Sequence, residues 1–166
     1  MANGFCDQRV ATERSENMLD RLLKILSANT DEETLEREDA ARIAVAALLV
    51  EAARADDVYL EAERDMIDRI LAERYALSAE QVRDLRSAGE KAQAEASDLV
   101  RFTRAVKESI PFEDRIEVIE AVWRVIYADD ERDPDEGALI RRLAGLLYVP
   151  DRDAGLARQR VTGQEP

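Results

Sequence analysis

An all-α, single-domain bundle of about seven or eight helices, with an internal duplicated helix-loop-helix unit, is the fold this sequence predicts. Three observations carry that expectation. Hydrophobic residues make up 46% of the 166 residues and charged ones 37%, in a mixture rich in Ala, Leu, Arg and Glu, whose side chains lose little freedom in a helix. Six glycines and four prolines are too few for a turn-rich β fold. Two stretches are apolar around most of a helical circumference, as helices enclosed by their neighbours must be, and the segments beside them are apolar on one stripe only.

Residues 1–15 mix polar side chains with Gly4 and show no periodicity, which predicts a flexible arm. Helical order is expected from Glu16, with the domain spanning 16–160. Met18, Leu19, Leu22, Leu23 and Leu26 then recur at three- and four-residue steps and mark one apolar face. Asp31-Glu32-Glu33-Thr34 reads as a new helix start, with carboxylates at the positive end of the dipole. Ala40 to Ala55, apolar almost all round from Ile43 to Val50, is the first central helix.

Beyond the acidic turn at Asp56-Asp57, residues 61–74 place Met66, Ile67, Ile70 and Leu71 on one stripe. Ser78-Ala79-Glu80-Gln81 has the form of a capping box, and a polar helix to about Ala96 should follow. Leu99, Phe102 and Val106 define a helix over 97–109 that Pro111 stops, because proline lacks an N–H and restricts the residue before it. Residues 113–128 form the second central helix, through Ile116, Val118, Ile119, Val122, Trp123, Val125 and Ile126. Asp133-Pro134-Asp135-Glu136 then starts a helix with an N-cap carboxylate and proline at the first helical position. Pro150-Asp151 opens a last short helix, and 161–166 should fray.

Residues 45–71 align without gaps on 118–144, at an offset of 73, within units of about 40–75 and 113–148. Seven positions are identical: Val45/Val118, Ala55/Ala128, Asp56/Asp129, Asp57/Asp130, Glu63/Glu136, Ile67/Ile140 and Arg69/Arg142. Helical periodicity accounts for the apolar matches but not for the polar ones. Each copy reads A-D-D-x5-E, so two carboxylates occupy the turn and a Glu sits in the first turn of the next helix. Two readings stand. Asp suits turns and an early Glu suits the helix dipole, which makes the acids helix-capping groups. Alternatively Asp56, Asp57, Glu63, Asp129, Asp130 and Glu136 present oxygen ligands to a hard divalent cation, Ca²⁺, Mg²⁺ or Mn²⁺. Zinc is disfavoured by the absence of His and a single cysteine, Cys6. The spacing also differs from the twelve-residue EF-hand loop with its central glycine.

The two phrases LLVEAARADDVYLEAERDMIDRILAERYALS and RFTRAVKESIPFEDRIEVIEAVWRVIYADDERDPDEGALIRRLAGLL give the chain, over about residues 18–160, a sequence that resembles the TerB-like tellurite-resistance family. That resemblance implies a helical bundle with pseudo-symmetric halves and an acidic cluster suspected of binding metal. It also implies a non-catalytic role, exercised with partner proteins, in responses to metal oxyanions and other chemical stress. Asp56, Glu63, Asp129 and Glu136 match the family's acidic positions. Asp57 and Asp130 depart from them, because the family usually has Gly there, and the added carboxylates alter the charge of any site.

Composition narrows the function further. A net charge of −13 and a pI near 4.6 repel phosphate backbones and anionic lipid, so neither nucleic acid nor a membrane surface is an expected partner. The 21 arginines among the 24 basic residues interleave with acids, as on a salt-bridged helical surface. No apolar run is long enough to span a bilayer, and the start MANGFCDQRVATERS lacks the apolar core of a secretory signal, which predicts a cytoplasmic protein without membrane insertion. With no His, no Gly-rich phosphate loop and no dinucleotide fingerprint, hydrolase, kinase and dehydrogenase chemistries lack their groups, and no enzyme activity is expected. Paired carboxylates acting as acid and base, and Cys6 as a nucleophile, are the weaker enzymatic readings. Two functions therefore stand in the sequence: an accessory protein that binds a divalent cation, and a metal-free helical adaptor or scaffold that docks a protein partner, a homodimer included.

Overall fold

A computed structural model describes residues 10–55, 59–128 and 134–163, with backbone alone for 10–31 and 134–136. The order is α1 (Val10–Ala53), α2 (Glu61–Tyr75), α3 (Ala79–Ala94), α4 (Val100–Ser109), a single 3₁₀ turn (Phe112–Asp114), α5 (Arg115–Ile126), α6 (Pro134–Leu147) and α7 (Asp151–Thr162). Among the described residues there are no strands, and no helix is long and apolar enough to cross a membrane. The chain divides into two compact units, Met1–Glu36 and Arg37–Pro166. The first contributes the N-terminal part of α1, and the second holds all the other helices.

Helix α1 corrects two expectations. It begins at Val10, inside the segment read as an arm, and it runs through Asp31–Thr34 without a break. The physical reason lies in what the segment lacks: no Gly or Pro occurs between Val10 and Ala53, and a capping-type residue only marks a boundary where the flanking sequence resists helix. Residues 32–40 are all exposed, so their carboxylates stay hydrated within the helix.

The second half of α1 lies at the centre of the larger unit. Ala44 to Val50 are no more than 2% exposed, and each large aliphatic side chain buried there contributes roughly 1.5–3 kcal/mol. The second central helix, α5, buries Val118, Ile119, Ala121, Val122, Trp123, Val125 and Ile126. Helix α2 packs on both α3 and α5, α4 on α6, and α7 chiefly on α5. Between α3 and α1 the approach is close: a Cβ at Gly89 would stand 2.7 Å from Ala46 Cβ and 2.9 Å from its carbonyl carbon. Helix α7 reaches α5 through two small residues, Ala154 and Ala157, and Trp123 Nε1 donates to the Ala154 carbonyl at 3.3 Å.

Several boundaries fall where local chemistry places them. Ser78 Oγ accepts from Gln81 N at 3.3 Å and Gln81 Oε1 accepts from Ser78 N at 3.0 Å, a complete capping box. Ile110 turns extended (φ −105, ψ 122) before Pro111 and ends α4. Buried Thr103 in α4 directs its hydroxyl to the Leu99 and Val100 carbonyls, so its polar group is satisfied inside its own helix. Pro134 is the first residue of α6, the place where its missing N–H costs nothing. At the C-terminus, α7 includes Val161 and Thr162 and stops at Gly163, whose φ of 66 is left-handed.

Candidate functional site

Both acidic turns connect a central helix to the helix that follows it, and the spans agree. Residues 54–60 separate α1 from α2, and residues 127–133 separate α5 from α6. The helix ends therefore keep the offset of 73 read from the sequence, and Glu63 and Glu136 are each the third residue of their helix. Asp56, Asp57, Asp129 and Asp130 lie outside the described residues, as does the side chain of Glu136. Among the described residues no group of three or more His, Cys, Asp or Glu side chains could hold a metal ion.

Glu63 is the one predicted ligand whose side chain is described, and it is 6% exposed. Its Oε2 accepts from the backbone N–H of Leu60 at 2.8 Å. Leu60, the N-cap residue, has no side-chain acceptor with which to return the bond, so Glu63 performs half of a capping box alone. This is the capping role that an early Glu has in the simpler of the two readings.

Around this first turn stands a polar network that sequence reasoning missed. Tyr59 donates its hydroxyl to Glu90 Oε1 at 2.9 Å, and Arg86 binds Glu90 at 2.7 Å and Asp68 at 2.6 Å. The Tyr59 ring faces the guanidinium groups of Arg54 and Arg64, at 5.1 Å and 4.6 Å from its centroid. Arg54 also donates to Gln93 Oε1 at 2.5 Å, and Gln93 Nε2 donates to Glu51 Oε2 at 2.9 Å. Burial, joined by the bond to Glu90 and its charge, pushes the Tyr59 hydroxyl up to about 12. For Glu90 burial works toward a higher value, but the bonds from Arg86 and Tyr59 and the charges of Arg86 and Arg64 hold its carboxyl below the ordinary range. Arg86 i to Glu90 i+4 is visible in the sequence. The Tyr59–Glu90 and Arg86–Asp68 pairs join different elements and leave no local pattern.

The flanks of the two turns meet at one cavity of about 420 Å³. Its walls include Ala55, which directly precedes Asp56, and Ala138, two residues beyond Glu136, together with Glu51, Arg54 and Arg142. A larger cavity, about 570 Å³, opens between α2, α5 and α7. There Arg74 pairs with Glu117 at 2.9 Å, Arg124 with Glu73 at 2.9 Å and Arg160 with Glu120 at 2.8 Å, so its charges compensate one another. The smaller cavity is the better candidate because residues that precede the first acidic segment and follow the second both line it.

No curated protein and no solved structure matches the chain. The family model described as tellurite resistance protein TerB matches residues 42–159, from the buried half of α1 to the last turn of α7. That match covers well over half of the sequence and takes in both helix-loop-helix segments, and the chain accordingly belongs to the TerB family.

Proposed function

We propose that this tellurite-resistance-associated protein is a non-enzymatic accessory factor of a chemical or metal stress response, and that its duplicated acidic turns bind a hard divalent cation. Ca²⁺, Mg²⁺ and Mn²⁺ suit an all-oxygen donor set from Asp56, Asp57, Asp129, Asp130 and Glu136. The observation that carries the reading is the shared cavity, where the residues flanking both turns come to a common wall. Acidic segments whose flanks line one space would pool donors that neither segment supplies alone. A cytoplasmic setting completes the proposal, together with a protein partner, preferred to nucleic acid on the strength of the −13 net charge.

The two turns are not electrostatic equals. Residues 54–64 hold four acids against two bases, whereas the matching residues 127–137 hold six acids against one base. The second turn is therefore expected to dominate cation affinity. Calorimetric titration of chelator-treated protein should show saturable binding, lost in the Asp56→Asn/Asp129→Asn double variant. Asp129→Asn alone should weaken binding more than Asp56→Asn alone, by about tenfold or 1.4 kcal/mol. Absence of both heat and any melting shift at millimolar ion would sink the cation reading.

Glu63 favours the second reading, a metal-free helical adaptor. One of its oxygens is committed to the start of α2 and the side chain is almost wholly buried. In that case the Asn variants change stability or partner capture and leave cation affinity untouched.

A further inference from the structure

The acidic character of this protein is not uniform. Across α4, and across α6 from Gly137 onward, five bases (Arg101, Arg104, Lys107, Arg141 and Arg142) face a single acid, Glu108. The two helices lie side by side: Arg142 borders a small cavity with Leu99 and Phe102 at one end, and Arg115 bonds both the Lys107 and Leu147 carbonyls at the other. Arg101, Arg104, Arg141 and Arg142 are exposed. Val100 and Tyr148 add apolar surface at 44% and 64% exposure.

Two features set this face apart. Gly145 sits within α6, where glycine weakens a helix, yet the space its Cβ would fill is open. Tyr148 holds a left-handed φ of 62 with its ring out in solvent beside Lys107, 4.3 Å from the ammonium, at a position usually given to glycine or asparagine. A smooth, basic helical face with an exposed aromatic ring fits an acidic helix.

The same chain displays such a helix. Along α1, residues 32–39 carry five acids against one base, all of them exposed, with Leu35 among them at 62% exposure. We propose that a second copy of this chain lays its acidic α1 stretch on the basic α4–α6 face, reciprocally, so that the protein forms a two-fold pair. Opposite charge gives the pairing its register, and Leu35 supplies an apolar anchor beside Gly145 and Tyr148. This pairing is independent of whether the acidic turns hold a cation.

Sedimentation equilibrium of the full chain, with chelator present, tests it. A dimer is expected at about 0.01 M salt that dissociates toward about 1 M, as the screening length falls from about 30 Å to about 3 Å. Arg101→Glu/Arg104→Glu/Arg141→Glu should weaken self-association by about tenfold or more, and so should Glu32→Arg/Glu36→Arg/Glu38→Arg. All six positions are exposed, so circular dichroism should show both variants folded. Mixed together, the two variants restore opposite charge at both contacts and should pair again. Tyr148→Gly should raise the melting temperature, by relieving the left-handed tyrosine, while it weakens the dimer. A monomer at low salt and sub-millimolar protein, or a mixture of the two charge variants that stays apart, overturns the proposal.

Discussion

Around the first acidic turn the neighbouring side chains are charged and bonded to one another, whereas at the end of α5, before the second, they are aromatic. Tyr59, Arg86, Glu90 and Asp68 form one hydrogen-bonded chain beside α2, and Arg54, Gln93 and Glu51 form another at the end of α1. At the end of α5, Trp123 stacks on Tyr127 with centroids 5.6 Å apart, Arg158 lies 5.4 Å over the indole, and Arg158 Nε donates to Tyr127 Oη at 2.8 Å. The flanking helices follow suit. Helix α3 approaches α1 closely over Gly89, while α7 sets Ala154 and Ala157 against α5 and accepts the bond from the Trp123 indole. Matching acidic patterns thus sit on halves fastened by different physics, polar geometry in one and ring burial in the other.

The largest expected effect tests the aromatic half. Trp123→Ala removes a side chain 8% exposed together with its bond to Ala154, and should cost about 3–5 kcal/mol in urea unfolding. A loss below about 1 kcal/mol would show that α7 is held by something other than the indole.

On the other half, Gly89→Ala introduces a methyl group 2.7 Å from Ala46 Cβ. Neither that atom nor the Ala46 backbone can swing aside, so α3 must shift, at about 1–3 kcal/mol. Wild-type stability in this variant would mean that α3 is free to slide along α1 and that the close approach is incidental.

The smallest effect is a pH dependence peculiar to the polar half. Tyr59 is raised from 10.0 to about 12 in the folded protein, so its contribution is fully present below pH 10 and is lost as pH rises through about 12. Glu90 is lowered, so its contribution is present above the ordinary carboxylate range and is lost only as pH falls through its depressed value. An alkaline unfolding profile of Tyr59→Phe should lack the tyrosine's share. Tyr75 is also raised by burial, so the variant is needed to assign the titration. An unchanged profile would remove the Tyr59–Glu90 bond from the account of this half.

Much of the fold was legible in the sequence because it rests on local chemistry. The Ser78–Gln81 box, the stop at Pro111 and the start at Pro134 are decided within a few residues, and the structure has all three. The two central helices were equally plain from apolar residues on every side. Where local rules conflict, reading failed: Asp31-Glu32-Glu33-Thr34 has the form of a helix start, yet the surrounding helix formers carry α1 straight through it. Left-handed Ala76 and Tyr148 close α2 and α6 where glycine would have announced the ends. As for the site, the spacing located both turns and placed Glu63 and Glu136 in the first turn of their helices. It could not show that Glu63 is buried against Leu60, nor that Tyr59 would find Glu90, 31 positions away. Such pairings depend on how α2 and α3 lie together, which no short window encodes.

Trp123 is the only tryptophan in the chain and lies on α5, six residues before Asp129. Its indole, beside the Tyr127 ring and the Arg158 guanidinium, makes the end of α5 fluorescent under excitation too long in wavelength for tyrosine to absorb. Tryptophan emission excited in that way thus reports on one half alone, and through it events at the first turn can be followed only as far as they disturb the second.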